Sequence, residues 1–241
     1  MTSSFWQEVA VDGSTMRIHV SLPEGPGPFP ALVVAQHQAG VDEFIQSMTK
    51  RLADAGYVAA APDLYHRDGP ECAEDARTRS MRLRDRNVIA DTNATVSFLQ
   101  KHSAVAPEQL GVIGFCMGGR IAYLAAATAP EFKAAVAYYG GNIFRAWGRD
   151  TPSPFERTGK IHCPLLGHFG ADDKNPSPED MQKLDAALNK FNKPHEFYSY
   201  ENAGHAFMDH TKESYRRHAE EASWPRTLAF LKRHLRSGVL D

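Results

Sequence analysis

Leu110-Gly111-Val112-Ile113-Gly114-Phe115-Cys116-Met117-Gly118-Gly119-Arg120 is the stretch on which the reading of this chain turns. An apolar, strand-sized run leads into a G-x-Cys-x-G-G turn. Ile121-Ala-Tyr-Leu-Ala-Ala-Ala127 then continues as a small-residue helix. A residue between glycines at such a strand-to-helix turn is held at strained backbone angles, and flanking Cβ atoms would clash there. The helix behind it offers free N–H groups and the positive end of its dipole. Both lower a thiol pKa and stabilise an oxyanion. A lone cysteine is more often buried packing. In this setting Cys116 reads as a nucleophile, with the Met117 N–H as an oxyanion donor.

The pattern to either side is one of alternation. Phe5 to Val11 and Met16 to Leu22 flank Asp12-Gly13, which predicts an N-terminal hairpin. Ala31 to Ala35 is wholly apolar, as a parallel strand buried on both faces should be. Asp42 to Ala55 carries Phe44, Ile45, Met48 and Leu52 at helical spacing and stops at Gly56. Further strands are expected at Tyr57 to Ala61, Leu110 to Phe115, Ala134 to Tyr139, Leu165 to Phe169 and His195 to Tyr200. Helices are expected within Cys72 to Lys101 (most regular over Val88 to Leu99) and over Met117 to Thr128, Pro178 to Phe191 and Tyr215 to Leu235. Asn142 to Lys160 reads as a loop. This order predicts an α/β fold, a mostly parallel sheet with helices on both faces. No repeat or linker divides residues 1–241, so one domain is expected.

Composition narrows the functional class. The chain is 42% hydrophobic and 23% charged with a formal net charge of −2, and its basic residues are dispersed. No basic face for nucleic acid or polybasic membrane patch is legible. Cys72, Cys116 and Cys163 match neither a zinc nor a CxxC spacing, which suits free thiols in a reducing compartment. His205 and His210 lack the spacing of a zinc helix, so no metal is expected. No basic-then-apolar leader opens the chain, and cytoplasmic residence is the expectation.

A strained nucleophile turn calls for an acid and then a histidine later in the chain. Gly170-Ala171-Asp172-Asp173 follows an apolar strand, and Asn202-Ala-Gly-His205-Ala-Phe207 follows the last one. Asp173 fits a G-x-x-D spacing better than Asp172, which stays as the alternative. His205 is then the general base, Asp173 fixes its tautomer, and the Cys116 thiolate attacks an ester or lactone carbonyl. The loop after Ala31–Ala35 supplies the second oxyanion N–H.

These motifs resemble the dienelactone hydrolase (carboxymethylenebutenolidase) family of the α/β-hydrolase superfamily. The resemblance rests on GFCMGGR, GADD, GHAF and QHQAGV, and spans about Ala31 to Leu235. It implies a hydrolase of small carboxylic esters or enol-lactones that works through a thioester and needs no cofactor. Two positions depart from the family. His37 stands where members carry a glutamate that contacts the nucleophile, with Gln38 beside it as the oxyanion donor. Asp209 stands four residues after His205, where members carry an arginine for the substrate carboxylate. An aspartate there would repel an anion, leaving Arg67, Arg82, Arg84 and Arg86 as candidates for that task. Tyr65, Tyr139, Trp147 and Phe207 are candidate pocket walls. A small-molecule substrate, with the chain a monomer or small homo-oligomer, completes the expectation. The rival readings are a promiscuous short-chain carboxylesterase, a non-catalytic binding protein of the same fold, and a thiol-redox protein. The binding protein is disfavoured because no triad member is missing. The redox protein lacks a resolving cysteine.

Overall fold

A computed structural model describes residues 2–69, 71–149 and 151–236. Two strands, β1 (Ser3–Val11) and β2 (Ser14–Leu22), form the expected hairpin. Its two-residue turn places Asp12 at φ 50° and Gly13 at φ 77°, the left-handed pair that matches strand twist. β2 then pairs antiparallel with β4 (Val58–Pro62). From there the sheet is parallel through β3 (Phe29–Ala35), β5 (Val105–Phe115), β6 (Phe132–Tyr138), β7 (Leu165–Gly170) and β8 (His195–Tyr200). The spatial order is β1-β2-β4-β3-β5-β6-β7-β8. The order changes direction between β3 and β5. Chains leaving those two strands diverge, which opens a crevice at their carboxyl ends.

The helices are α1 (Glu43–Asp54), α2 (Ala76–Arg82), α3 (Asp85–Lys101), α4 (Met117–Thr128), α5 (Pro178–Lys190) and α6 (Arg217–Leu235). Apolar residues from the two sheet faces belong to two separate clusters. Val33, Val112 and Ala135 pack with Leu99 of α3 and Tyr123 of α4, whereas Leu32, Ile113 and Val136 pack with Leu52 of α1 and Leu231 of α6. The alternation along each buried strand therefore feeds both layers. Local signals set the helix ends. Asp42 accepts from the Ile45 N–H at the start of α1, and Gly56 follows its end at φ 85°. Ser177 and Asp180 form a reciprocal capping box on α5.

β5 is longer than expected. Its first half, Val105 to Gln109, contains Pro107 and polar residues and so lacks a strand pattern, and there only Val105 pairs with β3. The 142–160 loop also contains a 3-10 turn, Phe155–Lys160. No helix among the described residues is long and apolar enough to cross a membrane.

Candidate active site

Cys116 stands between the end of β5 and the start of α4, with φ 57° and ψ −119°. A non-glycine residue there is strained, and its surroundings hold it in place. A Cβ on Gly114 would lie 1.9 Å from the Gly118 carbonyl oxygen, and one on Gly118 would lie 2.0 Å from that of Ala35. Neither position tolerates any side chain. The glycines thus let the strand, the turn and the neighbouring strand β3 meet behind the sulfur.

Three side chains from three loops form a hydrogen-bonded line. Cys116 Sγ is 3.0 Å from His205 Nε2, and His205 Nδ1 is 2.9 Å from Asp173 Oδ2. Asp173 is buried, and its other oxygen accepts from the Asn175 N–H. Asp172 is exposed, and among the described residues its engagement is through the backbone N–H, which donates to the Ala203 carbonyl. The carboxylate that meets His205 is therefore that of Asp173. Burial disfavours the charged imidazole, but the bonds with Asp173 and with the sulfur outweigh it and raise His205 to about 10. Burial likewise pushes the Cys116 thiol up, while the bond from His205, its charge and the Met117 N–H bring the thiol below its usual range. Both shifts favour the same state, a thiolate beside an imidazolium.

A cavity of about 430 Å³ opens over the sulfur, within the range of small-ligand sites. Gln38 and Met117 line it beside Cys116 and His205. Gln38 is fixed through its carbonyl, which accepts from Tyr65 Oη at 2.7 Å, and through its side chain, which donates to Ser80. Tyr65 thus braces the Gln38 loop from behind. Trp147 lines the cavity as expected, whereas Tyr139 and Phe207 are buried against each other and Tyr139 against the His205 ring. Phe207 backs the site without facing it.

Four other expected residues stand outside the cavity. Arg67 is spent on buried Asp91 and on Asp12, which tie the 66–68 turn to α3 and to the hairpin respectively. Arg82 pairs with Asp68 and Glu74. His37 is buried against Phe44, with Nε2 2.8 Å from Asp42 Oδ1 but out of line for a hydrogen bond, so the ring faces the start of α1. Asp209 is buried too. Its Oδ1 accepts from Thr211, and its Oδ2 lies 2.9 Å from Lys212 Nζ. Lys212 pairs with its charge, and it does not line the cavity. Of the remaining arginines, Arg84 donates to carbonyls at the end of α2, and Arg86 is exposed away from the site.

The arginines that do line the cavity are Arg77 and Arg145. No aspartate or glutamate lines it, and neither guanidinium has an ion-pair partner among the described residues. Helical spacing contained half of this signal. Arg77, Ser80 and Met81 recur at i, i+3 and i+4 and share the face of α2 that meets the cavity. Arg79 and Arg82 share another face and pair with Asp68. Arg145 lies in an irregular loop and gave no such cue.

The dienelactone hydrolase family model matches residues 16–235. This chain belongs to the dienelactone hydrolase family. It is 31% identical over 234 residues to a Bradyrhizobium sp. protein named as a 2-oxo-3-(5-oxofuran-2-ylidene)propanoate lactonase, covering 95% of this chain and 94% of that one. It is 33% identical over 221 residues to an Escherichia coli K12 protein named as a carboxymethylenebutenolidase, covering 90% and 81%. A crystal structure from Klebsiella pneumoniae, also named as a dienelactone hydrolase, superposes with a TM-score of 0.89 at 32% identity and covers 96% of this chain and 98% of its own. Like other members, the chain is an α/β-fold hydrolase acting on ester or lactone bonds.

Proposed function

We propose that this family member hydrolyses small carboxylic esters or enol-lactones through Cys116, His205 and Asp173, by way of a thioester on Cys116. The observation that carries the reading is the continuous line from sulfur to imidazole to carboxylate at 3.0 and 2.9 Å. In the first half-reaction the thiolate adds to the carbonyl carbon. The oxyanion is held by the backbone N–H groups of Met117 and Gln38. Collapse breaks the C–O bond, and the His205 imidazolium gives its proton to the departing oxygen. In a lactone that oxygen stays tethered to the acyl group. Neutral His205 then takes a proton from water as the water attacks the thioester, and the thiolate leaves as it began. Asp173 holds the imidazole tautomer throughout and stays ionised.

The acid-free cavity with two unpaired guanidiniums supports a substrate that carries a negative charge. The name of the Bradyrhizobium relative, a lactone bearing a propanoate, fits the same class. A promiscuous preference for neutral short-chain esters would leave both guanidiniums without a task.

The test is turnover of an activated aryl ester by wild type and by Cys116→Ala, with acyl-enzyme trapped by acid quench and mass measurement. The expected result is loss of turnover by at least about a thousandfold and no adduct in the variant. Wild-type-like turnover by Cys116→Ala would overturn the reading. Ligand-induced thermal stabilisation without any hydrolysis would favour a binding protein.

A further inference from the structure

Arg120 follows the nucleophile by four residues and is among the largest side chains in the protein with no solvent exposure. Its charge is matched by Asp85, the first residue of α3, which is equally buried. The pair is bidentate. Nη1 donates to Asp85 Oδ1 at 2.7 Å and Nη2 to Oδ2 at 3.1 Å. Burying two charges needs geometry of this quality to offset their desolvation, and such a pair is weak evidence of stability in itself. Its remaining bonds show where it acts. Nη2 also donates to the Arg145 carbonyl at 2.7 Å, and Nε donates to the Asn142 carbonyl at 3.2 Å. The guanidinium lies 3.6 Å from the centre of the Trp147 ring. Asp85 completes the clamp from the other side. Its Oδ2 accepts from the Trp147 N–H at 2.9 Å, and its own N–H donates to the Trp147 carbonyl at 2.7 Å.

Every one of these loop contacts falls on residues 142–147, the irregular segment that forms one wall of the cavity. Asn142, Arg145 and Trp147 all line the space over Cys116. An exposed loop of this kind has no ladder of its own to hold its shape. The helix that follows Cys116 therefore carries the fixture for the facing wall, and the sulfur and the Arg145 backbone, from which the guanidinium extends, are referenced to one rigid element.

We infer that Arg120, paired with Asp85, is a positioning residue that presents Arg145 to the charged end of an anionic ester or lactone, so that this substrate's specificity depends on the 142–147 loop. The inference rests on the proposed Cys116 chemistry only for its readout. Arg145 is the residue that touches substrate, and Arg120 acts through it.

The test uses two esters of equal chain length, mono-4-nitrophenyl adipate, which is anionic, and neutral 4-nitrophenyl hexanoate. The quantity read is the ratio of their kcat/KM values. Arg145→Gln is expected to lower that ratio about thirtyfold, the range of one hydrogen-bonded charge pair, mainly through KM for the anionic ester. Arg120→Lys keeps the charge but loses the fork. It is expected to lower the ratio about tenfold, again through KM. Adding Arg145→Gln to Arg120→Lys should change the ratio less than in the wild-type background, because the loop has already lost its reference. A structural role alone would lower kcat for both esters together and would leave the two substitutions multiplicative. Arg86→Gln, on an exposed arginine outside the cavity, should leave the ratio within about twofold. If Arg120→Lys fails to fold, Trp147→Leu removes the ring beneath the guanidinium and takes its place. An unchanged ratio in Arg145→Gln, or independent multiplication in the double variant, would overturn the inference. Failure of Cys116→Ala to lose activity would overturn the catalytic reading instead, and the ester ratio would still be readable.

Discussion

His205 and His168 differ in nearly every physical respect, although both sit on the same half of the sheet and both ring nitrogens of each are engaged. His205 meets a carboxylate on one side and a sulfur on the other, and its pKa rises to about 10 against the pull of burial. His168, inside β7, meets two hydroxyls, Tyr200 at 2.8 Å and Thr227 at 3.0 Å. Burial, then the charge of Arg226, lowers it to about 3. The carboxylate and the sulfur favour the charged ring at His205, whereas the surroundings of His168 favour the neutral one. Burial disfavours the charged form of both rings; at His205 the carboxylate and the sulfur outweigh it, and at His168 burial prevails with Arg226 adding to it.

That contrast can be broken in four places. His205→Ala removes the proposed proton carrier and should cut kcat/KM on an aryl ester about 10³- to 10⁴-fold. A loss under tenfold would mean that the ring is a bystander. Asp173→Asn keeps the shape but removes the carboxylate's charge. It should cost about 10²- to 10³-fold and return His205 toward its usual range, seen as an imidazole resonance titrating lower by NMR, while Asp172→Asn should stay within about threefold. Equal effects at the two positions would sink the assignment of the acid.

The pH behaviour of the two rings should differ in the same sense. The thiolate–imidazolium pair persists above the lowered thiol value and up to about 10. Thiolate absorbance and iodoacetamide labelling of Cys116 should therefore set in below the ordinary thiol range, and the imidazolium partner should be lost near 10. Labelling that begins only near the ordinary thiol range would break the pair. For His168 the folded value lies below the unfolded 6.5, so the unfolded chain takes the proton first. Its contribution to stability is full above 6.5 and is lost as pH falls from there toward 3. The slope is about 1.4 kcal/mol per pH unit. His168→Leu should flatten that part of the stability curve and cost about 2 kcal/mol at neutral pH by removing one partner from each of the Tyr200 and Thr227 hydroxyls, which keep Arg226 and Tyr138. An unchanged curve by denaturant titration would show that another group sets it.

Much of this site was legible because it is local. The GFCMGG turn requires its glycines within five residues, and the order of nucleophile, acid and histidine follows from the order of the strands. The preference for Asp173 over Asp172 came from a one-residue spacing, and the bond to His205 falls on that carboxylate. His37 and Asp209 illustrate the opposite case. Their positions were readable, but each side chain is turned into a polar cluster of its own, with Asp42 and with Thr211 and Lys212. Sequence position does not state the direction of a side chain.

The arginines mark the boundary most sharply. Their number and charge are fixed by the chain, and composition argued against a basic face. Which of them is free depends on which carboxylates fold against them. Asp91 takes Arg67, Asp68 takes Arg79 and Arg82, Asp85 takes Arg120, and Arg77 and Arg145 are left facing the sulfur. The amino-acid sequence by itself determined the sheet, the strained cysteine turn and the order of its partners, because those depend on periodicity and on backbone sterics over a few residues. Only the tertiary structure decided the ion pairing, because a salt bridge is a matter of a few ångströms between residues that can be dozens of positions apart.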